Sequence, residues 1–162
     1  MSTGYRYHPS SVSSLRDERH RAYLTEVGLP RDHLLFEPTE TARRSAAGRD
    51  LLKIGQGGED DWFCVDESSG EVVSLLIEFG KVQHVNASPE AFGHCLAEFA
   101  ARFPFGDQES YLNEREDLAR HFAQAMNRVD PSAAPDPADD ATEQVYWLDI
   151  IDDIEIGDYA EE

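Results

Sequence analysis

The stretch from Leu52 to Phe103 constrains the fold most, because it predicts consecutive strands followed by a helix. Within it, Val72–Ile77 is rich in β-branched and aliphatic residues and Val82–Asn86 alternates, as strands do. Ser88 can cap a following helix whose first position is Pro89, where a missing N–H costs nothing. The apolar residues that share one face of this helix are Phe92, Leu96, Phe99, Ala100 and Phe103. We therefore expect a sheet with one face covered by the helix.

Segments on the N-terminal side extend this core. The pattern from Ser13 or Ser14 to Val27 predicts a helix that Gly28 ends and Pro30 prevents from continuing. Further strands are predicted at 34–36, 51–54 and 62–66. The polar segment 39–50 and the glycine-rich segment 55–58 are interpreted as loops, the latter because it fits no phosphate-binding glycine motif.

The C-terminal part predicts a helix over about 109–127, then an acidic linker rich in Pro and Ala over 129–142. Glu143–Ile156 follows with Trp147, Ile150, Ile151 and Ile154 at helical spacing. We expect this amphipathic helix to dock on the parent domain, although docking on a partner is the alternative. The predicted organisation is a domain over 1–128, a linker over 129–142 and a C-terminal helix within 143–162.

Charge is distributed unevenly along the 162 residues, whose formal net charge is −19. Residues 1–53 contain nine basic and seven acidic side chains, whereas residues 106–162 contain three and seventeen. Such a field disfavours direct binding of nucleic acid and favours a basic protein partner, although acidity can also simply maintain solubility. No apolar run is long enough to span a bilayer and no secretory signal is visible, so we expect a cytoplasmic protein without membrane contact.

Catalytic and metal-binding patterns receive no positive support. Cys64, His84, His94 and Cys95 lack the spacings of zinc ligands, and nothing orients a third member of a Cys–His nucleophilic pair. Two buried thiols are a simpler interpretation than a disulfide. We predict no catalytic residues, no metal and no cofactor. A small hydrolase that uses Cys64 or Cys95 remains a third hypothesis.

Several short motifs, taken in order, resemble the SUKH superfamily, and most closely its fourth group. The first is Gly28-Leu29-Pro30 after the first helix, and the second is Phe63-Cys64-Val65-Asp66 with Gly70 and Val72 beyond it. The third is Val85-Asn86 with Ser88 and Phe92. Trp147 and Gly157-Asp158-Tyr159 are similar to that group's ending. The resemblance covers roughly residues 15–160.

This resemblance implies an α+β fold with a central, mostly antiparallel sheet of about four to six strands flanked by N-terminal and C-terminal helices. It also implies an immunity protein, not an enzyme, that binds a cognate polymorphic toxin, often a nuclease or nucleic-acid deaminase. The superfamily also includes fungal cell-wall regulators, so a non-toxin interaction adaptor is the alternative function. An acidic inhibitor could occlude the basic active-site surface of such a toxin. The predicted partner-binding residues are Glu59, Asp60, Asp61, Asp149, Asp152 and Asp153. The oligomeric state is not predicted.

Overall fold

The computed structural model describes residues 4–107, 109, 112–135 and 145–161. Within these residues, five strands form one antiparallel sheet in the order β1-β2-β3-β4-β5, so each strand pairs with its neighbours in sequence. The strands are β1 (Glu37–Ala46), β2 (Arg49–Gly58), β3 (Asp61–Asp66), β4 (Val72–Leu76) and β5 (Lys81–Asn86). The helices are α1 (Glu18–Ala22), α2 (Pro89–Arg102), α3 (Leu112–Val129) and α4 (Tyr146–Ile156). The predicted α+β class is thereby confirmed.

Strand β1 corrects the prediction of a loop over 39–50 and of a strand over 34–36. In the described part of the chain, β1 pairs only with β2, so it lies at the sheet edge and most of its side chains are exposed. An exposed edge strand needs no apolar alternation, and charged residues such as Arg43 and Arg44 disfavour pairing with another chain. Residues 34–36 precede the strand, with Leu35 and Phe36 buried.

The glycine-rich segment 55–58 is also part of a strand and not a loop. Gly55 pairs with Pro38 of β1 and Phe63 of β3. A Cβ atom at Gly55 would clash with the ring of Phe36, so the absence of a side chain makes room for that ring. Glycine within a strand often marks the close approach of another group. Here that group is the Phe36 ring, which the sequence pattern around Gly55 does not reveal because Phe36 is distant in sequence.

Helix α2 begins at the predicted residue, whereas the first helix begins later than predicted. Ser88 accepts a hydrogen bond from the Ala91 N–H at 3.1 Å and Pro89 is the first residue of α2, which confirms the predicted start. The first helix begins later than predicted, at Glu18, with Asp17 as its cap. It ends in a π-helical turn over Tyr23–Val27, and Val27 is 56% exposed.

One face of the sheet, here called the inner face, packs against the helices. Phe36 and Phe63 contact Phe92 of α2 with ring centroids 5.3 and 5.1 Å apart, and Phe99 continues the aromatic core toward Phe122 of α3. Burial of such large apolar surfaces supplies most of the driving force for folding. The core therefore lies between the inner face and the helices.

The outer face carries a smaller apolar cluster. Leu51, Cys64, Val73 and Leu75 are fully buried there. Lys53 Nζ lies 4.1 Å from the centroid of the Trp62 ring, a cation–π contact that helps cover the cluster. Long side chains can shield apolar surface in this way while their charged ends stay in water.

Helix α4 contacts the sheet through a buried polar network. Trp147 is fully buried, and its Nε1–H donates to Asn86 Oδ1 at 2.9 Å. The Asn86 amide in turn donates to Asp130 Oδ2 at 2.9 Å. The predicted division into domain, linker and helix remains a prediction. Asp130, Ala133 and Ala134 of the first part of 129–142 are buried, and residues 136–144 lie outside the described residues.

None of the helices in the described part of the chain combines the length and apolar composition needed to cross a bilayer.

Candidate partner-binding site

A groove opens where the C-terminal segment packs beside the end of the inner face. The Phe105 N–H donates to the Tyr159 carbonyl at 2.8 Å and the Glu161 N–H to the Gly106 carbonyl at 2.9 Å, so backbone bonds hold the C-terminal segment in place. Gly157 allows the chain to reverse after α4 through a left-handed conformation with φ of 91°. The groove has a volume of about 790 Å³. It is lined by Leu34, Leu35, Gly57, Asp61, Phe103, Pro104, Tyr146, Ile150, Asp158, Tyr159, Ala160 and Glu161.

The carboxylates of this acidic groove form no ion pair within the described part of the chain. Asp61, Asp158 and Glu161 contribute carboxylates, and within the described residues no Lys or Arg lines the groove and none forms an ion pair with these three. Arg115 packs over Gly157, next to Asp158, without pairing with it. The groove is therefore electrostatically suited to a cationic group.

Asp61 is a partly buried carboxylate of this groove. It pairs with Leu76 across the ladder, and its Oδ1 accepts a hydrogen bond from the Ser74 hydroxyl at 2.5 Å. Burial raises the pKa of Asp61, and the Ser74 hydrogen bond only partly opposes this effect. A partly buried carboxylate with a raised pKa in a concave site is a candidate for a functional group.

Two tyrosines place aromatic rings among these carboxylates. Tyr146 packs edge-on against Phe63 with centroids 5.2 Å apart, and Tyr159 packs in the same way against Phe99 at 5.2 Å. Burial raises the pKa of Tyr146, and the negative charges of Asp61, Asp153 and Asp149 raise it further. Both phenols therefore stay neutral at physiological pH.

Apolar side chains border the groove on another side. Leu34 is 61% exposed and Phe103 is 43% exposed, although both are large and hydrophobic. Exposed apolar groups beside concave polar surface are typical of interaction sites. The groove thus offers carboxylates, aromatic rings and apolar contacts together.

The six predicted partner-binding residues lie around this groove to different degrees. Asp61 lines the groove itself, while Glu59 and Asp60 are exposed in the turn that precedes it. Asp149 is exposed on α4, and its Oδ2 accepts a hydrogen bond from the Gln83 amide at 3.2 Å. Asp152 is exposed on the same helix and Asp153 is partly buried there. Their role in binding stays a prediction.

One electrostatic observation connects the two predicted segments. The charges of Asp61, from the first segment, and of Asp149 and Asp153, from the second, all act on Tyr146. Burial raises the pKa of Asp153, and the neighbouring Asp158, Asp149 and Asp152 raise it further. Carboxylates that are distant in sequence therefore share one negative region.

Sequence reasoning missed most of the groove lining, including Tyr146, Tyr159, Asp158 and Leu34. The helical spacing of α4 places Trp147 toward the core, and an adjacent residue points about 100° away. This offset could have indicated that Tyr146 lies at the margin of the helix contact. The return of the C-terminal segment onto residues 105–107 had no sequence signal.

The thiols and imidazoles are positioned for packing and hydrogen bonding. Both cysteines are buried free thiols, and burial raises the pKa of Cys64 and of Cys95 to about 12, which strongly disfavours the nucleophilic thiolate. Cys64 belongs to the outer cluster and Cys95 to the main core. His84 lies between Glu71 Oε2 at 2.6 Å and Ser132 Oγ at 2.9 Å. Among the described residues, no group of His, Cys, Asp or Glu is arranged to hold a metal ion.

The fold and the groove together define an acidic α+β protein with a concave surface suited to binding a cationic partner. The model of the SUKH-4 immunity protein family matches residues 4–153. Since this match covers most of the chain, the chain belongs to the SUKH-4 immunity protein family, which confirms the resemblance of its motifs. No curated protein and no solved structure matches the sequence significantly.

Proposed function

We propose that this protein neutralises a cognate polymorphic toxin by covering the toxin's basic active-site surface with its own acidic face. Membership of the SUKH-4 immunity protein family supports an immunity role and a toxin partner. The observation that carries the finer proposal is the group of carboxylates around the acidic groove without a cationic partner in the described part of the chain. A nuclease or nucleic-acid deaminase is the favoured target, because such toxins need a basic surface for their substrate.

The proposed mechanism is occlusion and not catalysis. Long-range attraction between opposite charges would accelerate encounter, and short-range contacts would then hold the complex. The high pKa of both buried thiols argues against the alternative of a cysteine hydrolase. We place this activity in the cytoplasm, where an immunity protein would meet toxin before it damages the producing cell.

The experiment uses the toxin domain encoded beside the gene for this protein. Purified toxin is titrated with this protein at several salt concentrations, and binding and residual toxin activity are measured together. We expect one-to-one inhibition, with an affinity that falls as salt rises. Tight binding that is independent of salt would contradict the electrostatic mechanism, and absence of binding would favour the adaptor function.

A matched pair of variants locates the surface. The test variant neutralises Glu59, Asp60, Asp61, Asp149, Asp152 and Asp153 as Gln or Asn. The control neutralises six exposed glutamates elsewhere, Glu26, Glu40, Glu78, Glu90, Glu114 and Glu116, as Gln. Each variant loses six negative charges, so any difference between the two reports the position of the charges. We expect the loss of toxin affinity to be at least tenfold larger in the test variant than in the control. Equal losses of affinity in the two variants would show that only the net charge matters, and not the position of these six residues.

A further inference from the structure

The acidic groove differs from an ordinary acidic surface because it combines a cavity with three kinds of contact. Its volume of about 790 Å³ lies within the range of ligand pockets. Asp61, Asp158 and Glu161 supply negative charge, and the rings of Tyr146 and Tyr159 lie beside them. Such a combination favours a cation carried on a side chain over a free metal ion, because a side chain can also pack against the aromatic rings.

We propose that the groove receives one arginine side chain of the partner, with an apolar neighbour of that arginine packed on Leu34 and Phe103. This inference rests on the proposed function, since it names the part of the toxin that would enter. It goes further because it predicts a short recognition element and not only a charged surface.

Arginine fits the groove better than lysine does. Its planar guanidinium can form paired hydrogen bonds to carboxylates and can also stack on an aromatic ring, and here carboxylates and phenol rings line the same cavity. Arginine is also enriched among the residues that dominate binding energy at interfaces. Lysine would keep the charge and lose the paired geometry.

The apolar border determines what flanks the arginine. Leu34 and Phe103 expose 61% and 43% of their surface, and water must leave both when a partner docks. Removing apolar surface from water stabilises a complex. A leucine-like residue next to the arginine would use this border, whereas a carboxylate there would be repelled by the groove.

The test uses short capped peptides with the central sequence Leu-Arg-Leu, so that the chemistry is probed without the toxin. Companion peptides replace the arginine by citrulline, which keeps the shape and removes the charge, or by lysine. Binding is followed by NMR through the backbone amides of Gly57, Asp61 and Ala160. We expect groove-specific shifts with the arginine peptide, at least tenfold weaker binding with citrulline, and an intermediate affinity with lysine.

Matched variants assign the effect to the groove. Asp61→Asn with Asp158→Asn should weaken binding of the arginine peptide at least tenfold, because it removes two lining carboxylates. Glu40→Gln with Glu116→Gln changes the same charge at exposed positions outside the groove lining and should bind like the unmodified protein. Dispersed NMR spectra of each variant verify folding. Equal binding of the citrulline peptide, shifts outside the groove, or equal losses in both variants would overturn the inference.

The same variants with the toxin separate this inference from the proposed function. Toxin binding that is lost at least tenfold in the groove variant alone supports both. Toxin binding that survives in the groove variant overturns the inference and leaves the immunity function intact. A toxin that fails to bind the unmodified protein overturns the proposed function, whatever the peptides show.

Discussion

Helix α4 contacts two polar regions of the molecule that are built in opposite ways. One is the buried network of Asn86, Asp130 and Trp147, in which each side chain is hydrogen-bonded to another. The other is the acidic groove, where the Asp61 side chain accepts one hydrogen bond, from Ser74, and forms no ion pair within the described residues. The same helix thus borders one region whose polar side chains are hydrogen-bonded to one another and another region whose carboxylates have few partners.

The pKa directions express this difference. Burial would raise the pKa of Asp130, but hydrogen bonds from Ala87, Ser132 and Asn86 lower it overall. Burial raises the pKa of Asp61 with little to oppose it. A buried polar group that is fully hydrogen-bonded specifies structure, whereas one that lacks partners costs stability and is retained where it serves function. This contrast indicates that the first region holds the fold, and it supports the proposed partner-binding role of the second.

The largest expected effect comes from breaking the satisfied network at its aromatic member. Trp147→Ala removes a fully buried side chain that also contacts the Phe122 ring. Substitutions of this type cost about 3–5 kcal/mol. We therefore expect the free energy of unfolding, measured by urea titration, to fall by that amount. A loss below about 1 kcal/mol would show that α4 contributes little to the folded domain.

Trp147→Phe is the control for the packing part of this effect. It keeps most of the aromatic surface but removes the Nε1–H donor, so Asn86 Oδ1 loses its partner. Leaving a buried acceptor unsatisfied costs about 1–3 kcal/mol. The alanine variant should therefore be clearly less stable than the phenylalanine variant.

The next effect is a pH-dependent loss at Asp130. Asp130 Oδ2 accepts bonds from Asn86 and the Ala87 N–H, and Oδ1 accepts two from Ser132. In Asp130→Asn only one oxygen remains, and we expect a loss of about 1–3 kcal/mol at pH 7. Because the folded-state pKa is lowered, the carboxylate stabilises the protein above the unfolded-state value and loses this contribution as pH falls through the folded-state value.

Urea titrations of both proteins from pH 7 to pH 2 measure this prediction. The stability difference between the unmodified protein and Asp130→Asn should be largest at neutral pH and should shrink in acid. A difference that is constant over this range would mean that the ionised state of Asp130 does not contribute.

Sequence patterns predicted the parts of the fold that depend on local chemistry. The strands from Trp62 to Asn86, the Ser88 cap and the inward apolar stripe of α4 each follow from the residues in a short window, and the structure contains all of them. Strand β1 had no such signal, because an edge strand exposed on most positions has no apolar periodicity to detect.

The acidic groove was only partly predictable, for a different reason. Asp61, Asp149 and Asp153 stood out as charged residues, and the structure places their charges near the same tyrosine. Leu34, Phe103 and Tyr159 come from three distant segments that meet only when residues 159–161 pair with residues 105–107. The motif quoted at Gly157 ends the helix, yet its neighbours Asp158 and Tyr159 form part of the groove.

The smallest effect on stability, and the one of opposite sign, is expected at Asp61. Its raised pKa means that the folded protein keeps a proton at pH values where the unfolded chain has lost it. This contribution to stability is present below the unfolded-state pKa and is lost as pH rises through the folded-state pKa. At neutral pH the ionised carboxylate is therefore destabilising. Asp61→Asn removes that charge and keeps an oxygen that can accept the hydrogen bond from Ser74.

Thermal unfolding at pH 7 should show Asp61→Asn to be at least as stable as the unmodified protein, and its advantage should disappear as pH falls below the unfolded-state pKa of the Asp61 carboxyl. Toxin affinity should fall in the same variant, because a partner's cation would lose its carboxylate. Glu116→Gln removes one exposed negative charge on α3 and is the matched control for the change in net charge. A loss of stability at pH 7 in Asp61→Asn would contradict this prediction. It would show that the ionised Asp61 carboxylate stabilises the folded protein, as Asp130 does, and does not destabilise it.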